Sequence, residues 1–327
     1  MVWSAYNNLY SRYEVFENPL EELVGMKYSL RAFGALVLVL CALAIATAHP
    51  RQAITMLDIG QGDSFLLQDG STQVLIDGGP GSEVLTRLGE EMPFFDRKID
   101  VIVATHYDRD HLEGLLHVIN KYDVGMILMP HYTATTTATK RQFLQTVIDK
   151  HIPYRFGWYG QTLSAGHMQF RIMSPIPGPE WESLSKRASN NASIIMRMDY
   201  TPKPGARPLS MLFTGDAEGR IEKQLLSSIP LSAFGVDILK VGHHGSKTST
   251  TPELVQAASP AAAFVSVGAN NTYGHPTKEA LTRLASSKIF RTDQDGTVSF
   301  WFDGKSWQES CRKKTDLLFL QHLCMKR

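Results

Sequence analysis

The residues best suited to chemistry crowd into one octet, Ala104-Thr105-His106-Tyr107-Asp108-Arg109-Asp110-His111. Two imidazoles and two carboxylates fall within six positions there. Such groups repel or desolvate one another unless a cation sits between them. The octet follows Ile99-Asp100-Val101-Ile102-Val103, a short apolar run that reads as a buried strand. A strand end followed by a tight turn can aim alternate side chains into one cavity, and His111 can close it from the start of the next helix. The competing reading is a solvated polar loop. It is disfavoured because charge at a buried strand end is costly without a purpose.

Other candidates also stand at strand ends. Asp216 follows Phe213-Thr214-Gly215, although it can equally cap a helix that starts at Ala217. His243 and His244 follow the apolar run Val236–Val241, where a plain polar turn is the alternative. His275, beside Pro276, can meet a substrate or pin a loop. Lys240 and Lys247 flank the paired histidines and can contact phosphate, but Lys240 belongs to a strand and can point away. The three cysteines, Cys41, Cys311 and Cys324, form no CxxC pair and lie far from the histidines. That argues against a thiolate zinc site and a cysteine nucleophile. Cys311 and Cys324 can pair in an oxidising compartment; two free thiols is the simpler expectation. Ser246 has no evident base.

Composition narrows the partners. The 327-residue chain is 43% apolar and carries a net charge of +1. It can build a sizeable core but has no general drive towards nucleic acid. Any DNA contact must come from a local patch, and no aromatic-and-basic stacking platform of a single-strand binder is visible along the chain.

The elements that must position these groups begin near Ile54. Strands are expected at Ile54–Ile59, Ser64–Gln68 and Gln73–Asp77, with Asp69-Gly70 as a hairpin turn. Helices follow at Val84–Glu91, Glu113–Asn120 and Arg141–Lys150, around a strand at Val124–Met129. The proline-rich run Ser174–Trp181 is expected to be irregular, opening a loop to Asn190 that is either a lid or ordinary surface. Later come a hairpin (Ser193–Asp199 and Leu209–Thr214), helices at Ala217–Ser227, Pro252–Ala258 and Thr277–Ser286, and strands at Val236–Val241, Ala262–Val267 and within Ile289–Phe302. Hairpins followed by helices suggest sheet-on-sheet packing with outer helices.

Ahead of this, residues 1–29 read as an arm. Residues 30–48 form an apolar stretch of about 19 residues, which approaches the length a bilayer core requires. Lys27 and Arg31 at its entrance favour a cytoplasmic N-terminus for a membrane anchor. A cleaved signal ending at Ala46-Thr47-Ala48 and a buried core helix are the other readings. Residues 51–309 are expected to be the folded domain that carries these groups and 310–327 a tail.

The octet resembles the HxHxDH motif of the metallo-β-lactamase superfamily, with Asp108 at its second histidine. Leu57-Asp58-Ile59-Gly60-Gln61-Gly62-Asp63, Phe213-Thr214-Gly215-Asp216, Lys240–Ser246, Tyr273-Gly274-His275-Pro276 and Thr292–Gly296 recur in one branch of it. Taken in order, from about Ile54 to Trp307, they resemble the soluble hydrolase domain of the ComEC-type DNA-internalisation competence proteins. The resemblance implies an α+β, four-layer αββα fold and two divalent metal ions, Zn2+ or Mn2+. His106 and Asp108 would hold one ion, Asp110 and His111 the other. Asp216 would bridge them and His244 would be the last ligand. Asp110, His243 and His275 are the candidate catalytic residues, with His243 as a proton donor. Asp77 would orient a ligand histidine, with Asp58 and Asp63 bracing the same loops. Asn190 stands where the superfamily often has a further histidine, as a weak ligand or a substrate contact; His131, His151 and His167 lack the matching context.

The function implied is a phosphodiesterase or nuclease that degrades the non-imported DNA strand. DNA is then a partner, as is the membrane through residues 30–48. One apolar span cannot translocate DNA unaided, so the chain is expected to be a fragment of a larger channel protein, the partner of a separate channel protein, or a free-standing relative. Two alternatives stay open: a small-molecule phosphodiester hydrolase, and a metal-stabilised domain that docks on a channel. Asp108 and Asp216 depart from the histidine and cysteine ligands of β-lactamases.

Overall fold

The computed structural model describes residues 31–40, 52–132, 137–186 and 189–313. Residues 31–40 are helical and are designated α1. Among the described residues, no helix is long and apolar enough to cross a membrane. The expected N-terminal arm and the rest of the 30–48 segment lie outside the described residues. The chain divides into two compact units, Met1–Ala48 and His49–Arg327, and the second carries everything that follows.

The second unit begins with β1 (Gln52–Met56), β2 (Phe65–Asp69) and β3 (Thr72–Ile76), then α2 (Glu83–Glu91), β4 (Lys98–Val103), α3 (Arg109–Lys121) and β5 (Asp123–Pro130). It continues through α4 (Ala138–Asp149), β6 (Tyr154–Gly157), β7 (Thr162–Ala165), β8 (Met168–Ser174) and α5 (Pro179–Ser185). The other half holds β9 (Ile195–Tyr200), β10 (Leu209–Phe213), α6 (Gly219–Ser228), β11 (Ile238–Lys240), α7 (Pro252–Ala258) and β12 (Ala262–Val265). It ends with α8 (Lys278–Arg283), β13 (Lys288–Arg291), α9 (Thr292–Asp295), β14 (Thr297–Phe302) and β15 (Trp307–Arg312).

Two sheets result, ordered β15-β14-β1-β2-β3-β4-β5-β6 and β13-β12-β11-β10-β9-β8-β7. Side-chain alternation explains their stacking. On β2, Phe65 and Leu67 enter a core shared with Phe213 and Phe264 of the other sheet. Leu66, between them, joins Leu88 of α2 and Leu115 of α3 on the opposite side. Leu212 and Leu239 likewise turn outward to the core that includes Ile221 of α6 and Leu254 of α7. The layers therefore run helix, sheet, sheet, helix, as the αββα expectation had it.

Each sheet has a parallel run: β3 to β6 in one, β10 to β13 in the other. Parallel strands deliver successive loops at the same edge, and such carboxyl ends are where open α/β sheets place ligands. The ends of β3, β4, β10 and β11 lead into Asp77, the octet, Asp216 and the paired histidines.

Three expectations need correction. The proline-rich run is not all irregular, since α5 starts at Pro179, in the first turn, where a missing N–H costs nothing. Trp181 and Leu184 of α5 are buried. The sheet does not stop at residue 309, because β15 pairs with β14 as far as Arg312. Cys311, expected as a free thiol, is disulfide-bonded; Cys41 and Cys324 lie outside the described residues.

Candidate metal centre

Backbone shape decides how closely these loops meet. Gly62 has φ +133°, and a Cβ there would lie 2.1 Å from the Asp110 carbonyl oxygen. Glycine thus lets the β1–β2 turn pack onto the octet, where Asp63 N donates to Asp110 O at 3.2 Å. Three non-glycine residues adopt the left-handed conformation at the same place: Asp77 (φ 58°), His243 (φ 48°) and His244 (φ 54°). Conformations that side chains disfavour collect where function over-determines them.

Asp77 is the brace. Its Oδ1 accepts from Thr105 N at 2.8 Å; its Oδ2 accepts from Thr105 Oγ1 at 2.6 Å and faces His111 Nδ1 at 2.8 Å. This fixes the His111 ring with Nε2 turned inward. His244 is set the same way, with Nδ1 2.9 Å from the Ser266 carbonyl. His106 Nδ1 meets Thr105 Oγ1 at 3.0 Å.

The inward nitrogens converge on Asp216. His111 Nε2 and His244 Nε2 each lie 3.2 Å from Asp216 Oδ2, and His244 Nε2 lies 3.3 Å from Asp110 Oδ2. The His106 ring lies 4.1 Å from that of His111, centroid to centroid and tilted by 53°, and its Nε2 is 3.9 Å from Asp108 Oδ2. The Nε2 atoms of His106, His111 and His244 are all buried without an aligned hydrogen bond. Close approach without alignment is the geometry of ligands arranged around a common centre. Divalent cations fit this donor set of imidazoles and carboxylates. Asp108 is held from outside by the Ser189 hydroxyl, which donates to its Oδ1.

All six expected ligands therefore meet in one place. Asp63, expected as a brace or a turn residue, also lies within 4.8 Å of His111, Asp216 and His244 as a possible ligand. We assign it a different role. It faces the Nδ1 sides of those rings, at 3.8 Å and 3.3 Å, and it is ion-paired with Lys240. Asp110 is the carboxylate on the Nε2 side.

Lys240 departs from both of its expected roles. It neither faces a phosphate nor points away. It is buried, donates to the Gly215 carbonyl at 2.7 Å, and lies between Asp63 and Asp216 Oδ1, the latter at 3.3 Å. Sequence reading missed this pair because its members are far apart in the chain; the signal available was an acid in a glycine-rich turn after β1.

The electrostatics follow from burial and neighbours. Burial opposes ionisation of Asp216, but His244, His111 and Lys240 hold it well below the usual carboxylate range. Asp63 is also lowered, with Lys240 and His244 overcoming its burial. Burial works against charge on His111 and His244, and Asp216 outweighs it, raising both. The buried carboxylates therefore favour positive charge beside them. His106 is lowered by burial and by His111.

His243 and His275 line the opening, their rings 5.6 Å apart. His243 Nε2 is 3.9 Å from Asp216 Oδ2 and 3.5 Å from Asn190 Nδ2, which brings Asn190 to the rim rather than among the ligands. Burial, then His243, lower His275. Asn271 clasps the His275 backbone through both N–H and carbonyl.

The metallo-beta-lactamase superfamily profile matches residues 57–180. ComE operon protein 3 of Bacillus subtilis is 30% identical over 274 residues, covering 77% of this chain and 33% of that protein. Competence protein ComA of Neisseria gonorrhoeae is 27% identical over 259 residues, covering 78% and 33%. The chain spans about a third of the length of the curated relatives it matches. Among solved structures, the metallo-beta-lactamase fold protein YhfI from Bacillus subtilis aligns with a TM-score of 0.47 and 17% identity, over 73% of this chain and 96% of that one. The chain thus carries a metallo-beta-lactamase domain, and over most of its length it is similar to bacterial competence proteins.

Proposed function

We propose that this domain is a metal-dependent phosphodiesterase that cuts DNA outside the cytoplasm and degrades the strand not taken in during DNA uptake. The observation that carries the reading is the set of three buried Nε2 atoms without an aligned hydrogen bond, those of His111 and His244 on Asp216 and that of His106 beside His111 and Asp108. In the proposed site His106, Asp108, Asp110, His111, Asp216 and His244 would hold the ions. Three carboxylates beside three imidazoles make a hard ligand set, so Mn2+ suits it as well as Zn2+. Bound divalent ions supply a nucleophile from water near neutral pH and polarise a phosphoryl oxygen. The protein orients them: Asp77 through His111, Ser189 through Asp108, and Lys240 by limiting the negative charge on Asp63 and Asp216. His243, whose Nδ1 has no partner, stands at the opening to pass a proton to the departing oxygen. The competence relatives support DNA as substrate, and residues 30–48 would tether the domain beside a separate channel protein.

The test uses the full chain stripped of metal, assayed on single- and double-stranded DNA with added Zn2+ or Mn2+, beside an Asp110→Ala control. The reading expects cleavage that depends on metal and disappears in the control. A folded, metal-binding protein that cuts neither DNA with either ion would overturn it. Activity confined to small phosphodiesters, or none at all, would then point to the small-substrate or docking role.

A further inference from the structure

An aromatic strip runs along the outer edge of the first sheet towards the metal centre. Strand β6 is the edge strand. Its Tyr154 and Phe156 lie on one face, 49% and 36% exposed, with ring centroids 5.8 Å apart. Phe156 meets His131 at 4.9 Å, His131 meets Trp158 at 5.5 Å, and Trp158 meets Trp181 at 5.2 Å. These rings come from three separate stretches of chain, which is why no platform is visible in the sequence.

The inner end of the strip adjoins the site. The carbonyl of Pro130, next to His131, accepts from the hydroxyl of Tyr107, the residue between His106 and Asp108. Trp181 belongs to α5, and the following turn, Ser189–Ala192, holds Asp108 through Ser189. The exposed large side chains of the strip are aromatic rather than aliphatic. Flat, exposed π-faces suit bases, each of which has a π-face of its own to stack.

We infer that this strip is a stacking platform for the unpaired bases of single-stranded DNA, leading the strand to the metal centre. It rests on the reading of the site as a DNA-cleaving phosphodiesterase, and it adds the substrate form: a single strand gripped by its bases. Tyr154 and Phe156 take successive bases.

Fluorescence anisotropy of the full, metal-loaded chain tests it. The probes are oligothymidine and an abasic strand of equal length, both phosphorothioate-linked to slow cleavage. The base-bearing strand should bind more tightly in the unmodified protein. Tyr154→Ala with Phe156→Ala should weaken that strand roughly 10- to 100-fold and leave the abasic strand unchanged. Tyr154→Phe and Phe156→Tyr keep the rings and should keep the affinity. Turnover of bis(p-nitrophenyl) phosphate should be unchanged in the double alanine variant. Equal affinity of the unmodified protein for both probes would overturn the inference, and that comparison needs no variant to fold. Unchanged oligothymidine binding in the double variant would also overturn it and leave the edge as a protein-docking surface. The two readings fail separately: absence of DNA cleavage removes the nuclease, whereas loss of base-dependent binding with cleavage intact removes only the platform.

Discussion

Two places in the fold hold a histidine against a buried aspartate, and they differ in what is left unpaired. At the end of β2, Asp69 is saturated by protein donors. Its Oδ1 accepts from Tyr200 OH at 3.0 Å and Gln52 Nε2 at 3.3 Å. Its Oδ2 accepts from His167 N at 2.6 Å and faces His167 Nδ1 at 2.8 Å. At Asp216, two imidazole nitrogens approach one oxygen and neither is aligned to donate. Both carboxylates sit below their ordinary range against the cost of burial: Asp69 through hydrogen bonds, Asp216 chiefly through the charges of His244, His111 and Lys240. Burial, acid and imidazole together therefore do not make a site. Unfilled nitrogens pointing at a common centre do.

Substitutions can break this contrast. The largest effect is expected at Lys240. Lys240→Met removes the buried cation between Asp63 and Asp216 and should cost about 3–5 kcal/mol of stability in metal-free protein. Denaturant titration with and without Mn2+ checks it, and added metal should recover part of the loss. His111→Ala removes a proposed ligand and should lower hydrolysis by about 100-fold or more, beyond the range of outer-shell changes. Asp77→Asn keeps the shape but weakens the support of His111, and calorimetry should show metal affinity falling about 10- to 100-fold.

Asp69→Asn should leave hydrolysis intact and cost about 1–3 kcal/mol of stability at pH 7, as expected when an acceptor of several buried hydrogen bonds is altered. Its pH dependence has a definite sign. The folded state depresses this carboxylate, so its contribution is present above the ordinary carboxylate pKa and lost as pH falls through the depressed value. The stability difference between the unmodified protein and the variant should shrink on acidification from pH 5 to 2, and a difference that grows would contradict this.

Legibility from the sequence followed sequence distance. The octet could be read because its ligands share one strand end, and Asp216 and His244 because each follows a short apolar strand beside a glycine. Helix α7 was expected over its observed span, with proline opening it. The Asp63–Lys240 pair could not be read, since a turn beside one sheet carries the acid and a strand of the other sheet carries the lysine. Helix α5 was hidden because prolines before it suggested irregular chain, while Pro179 itself stands where a helix tolerates it. The aromatic strip on β6 was hidden for a third reason: its rings adjoin only once β5 and β6 pair and α5 folds against them.

The measurement closest to the central claim is calorimetric titration of Mn2+ and Zn2+ into the metal-stripped full chain, beside Asp216→Asn and Asp69→Asn. The account predicts two ions per chain in the unmodified protein and in Asp69→Asn, with at least one site lost in Asp216→Asn. A folded protein that binds neither ion, or an Asp216→Asn variant that binds both as tightly as the unmodified chain, would contradict it.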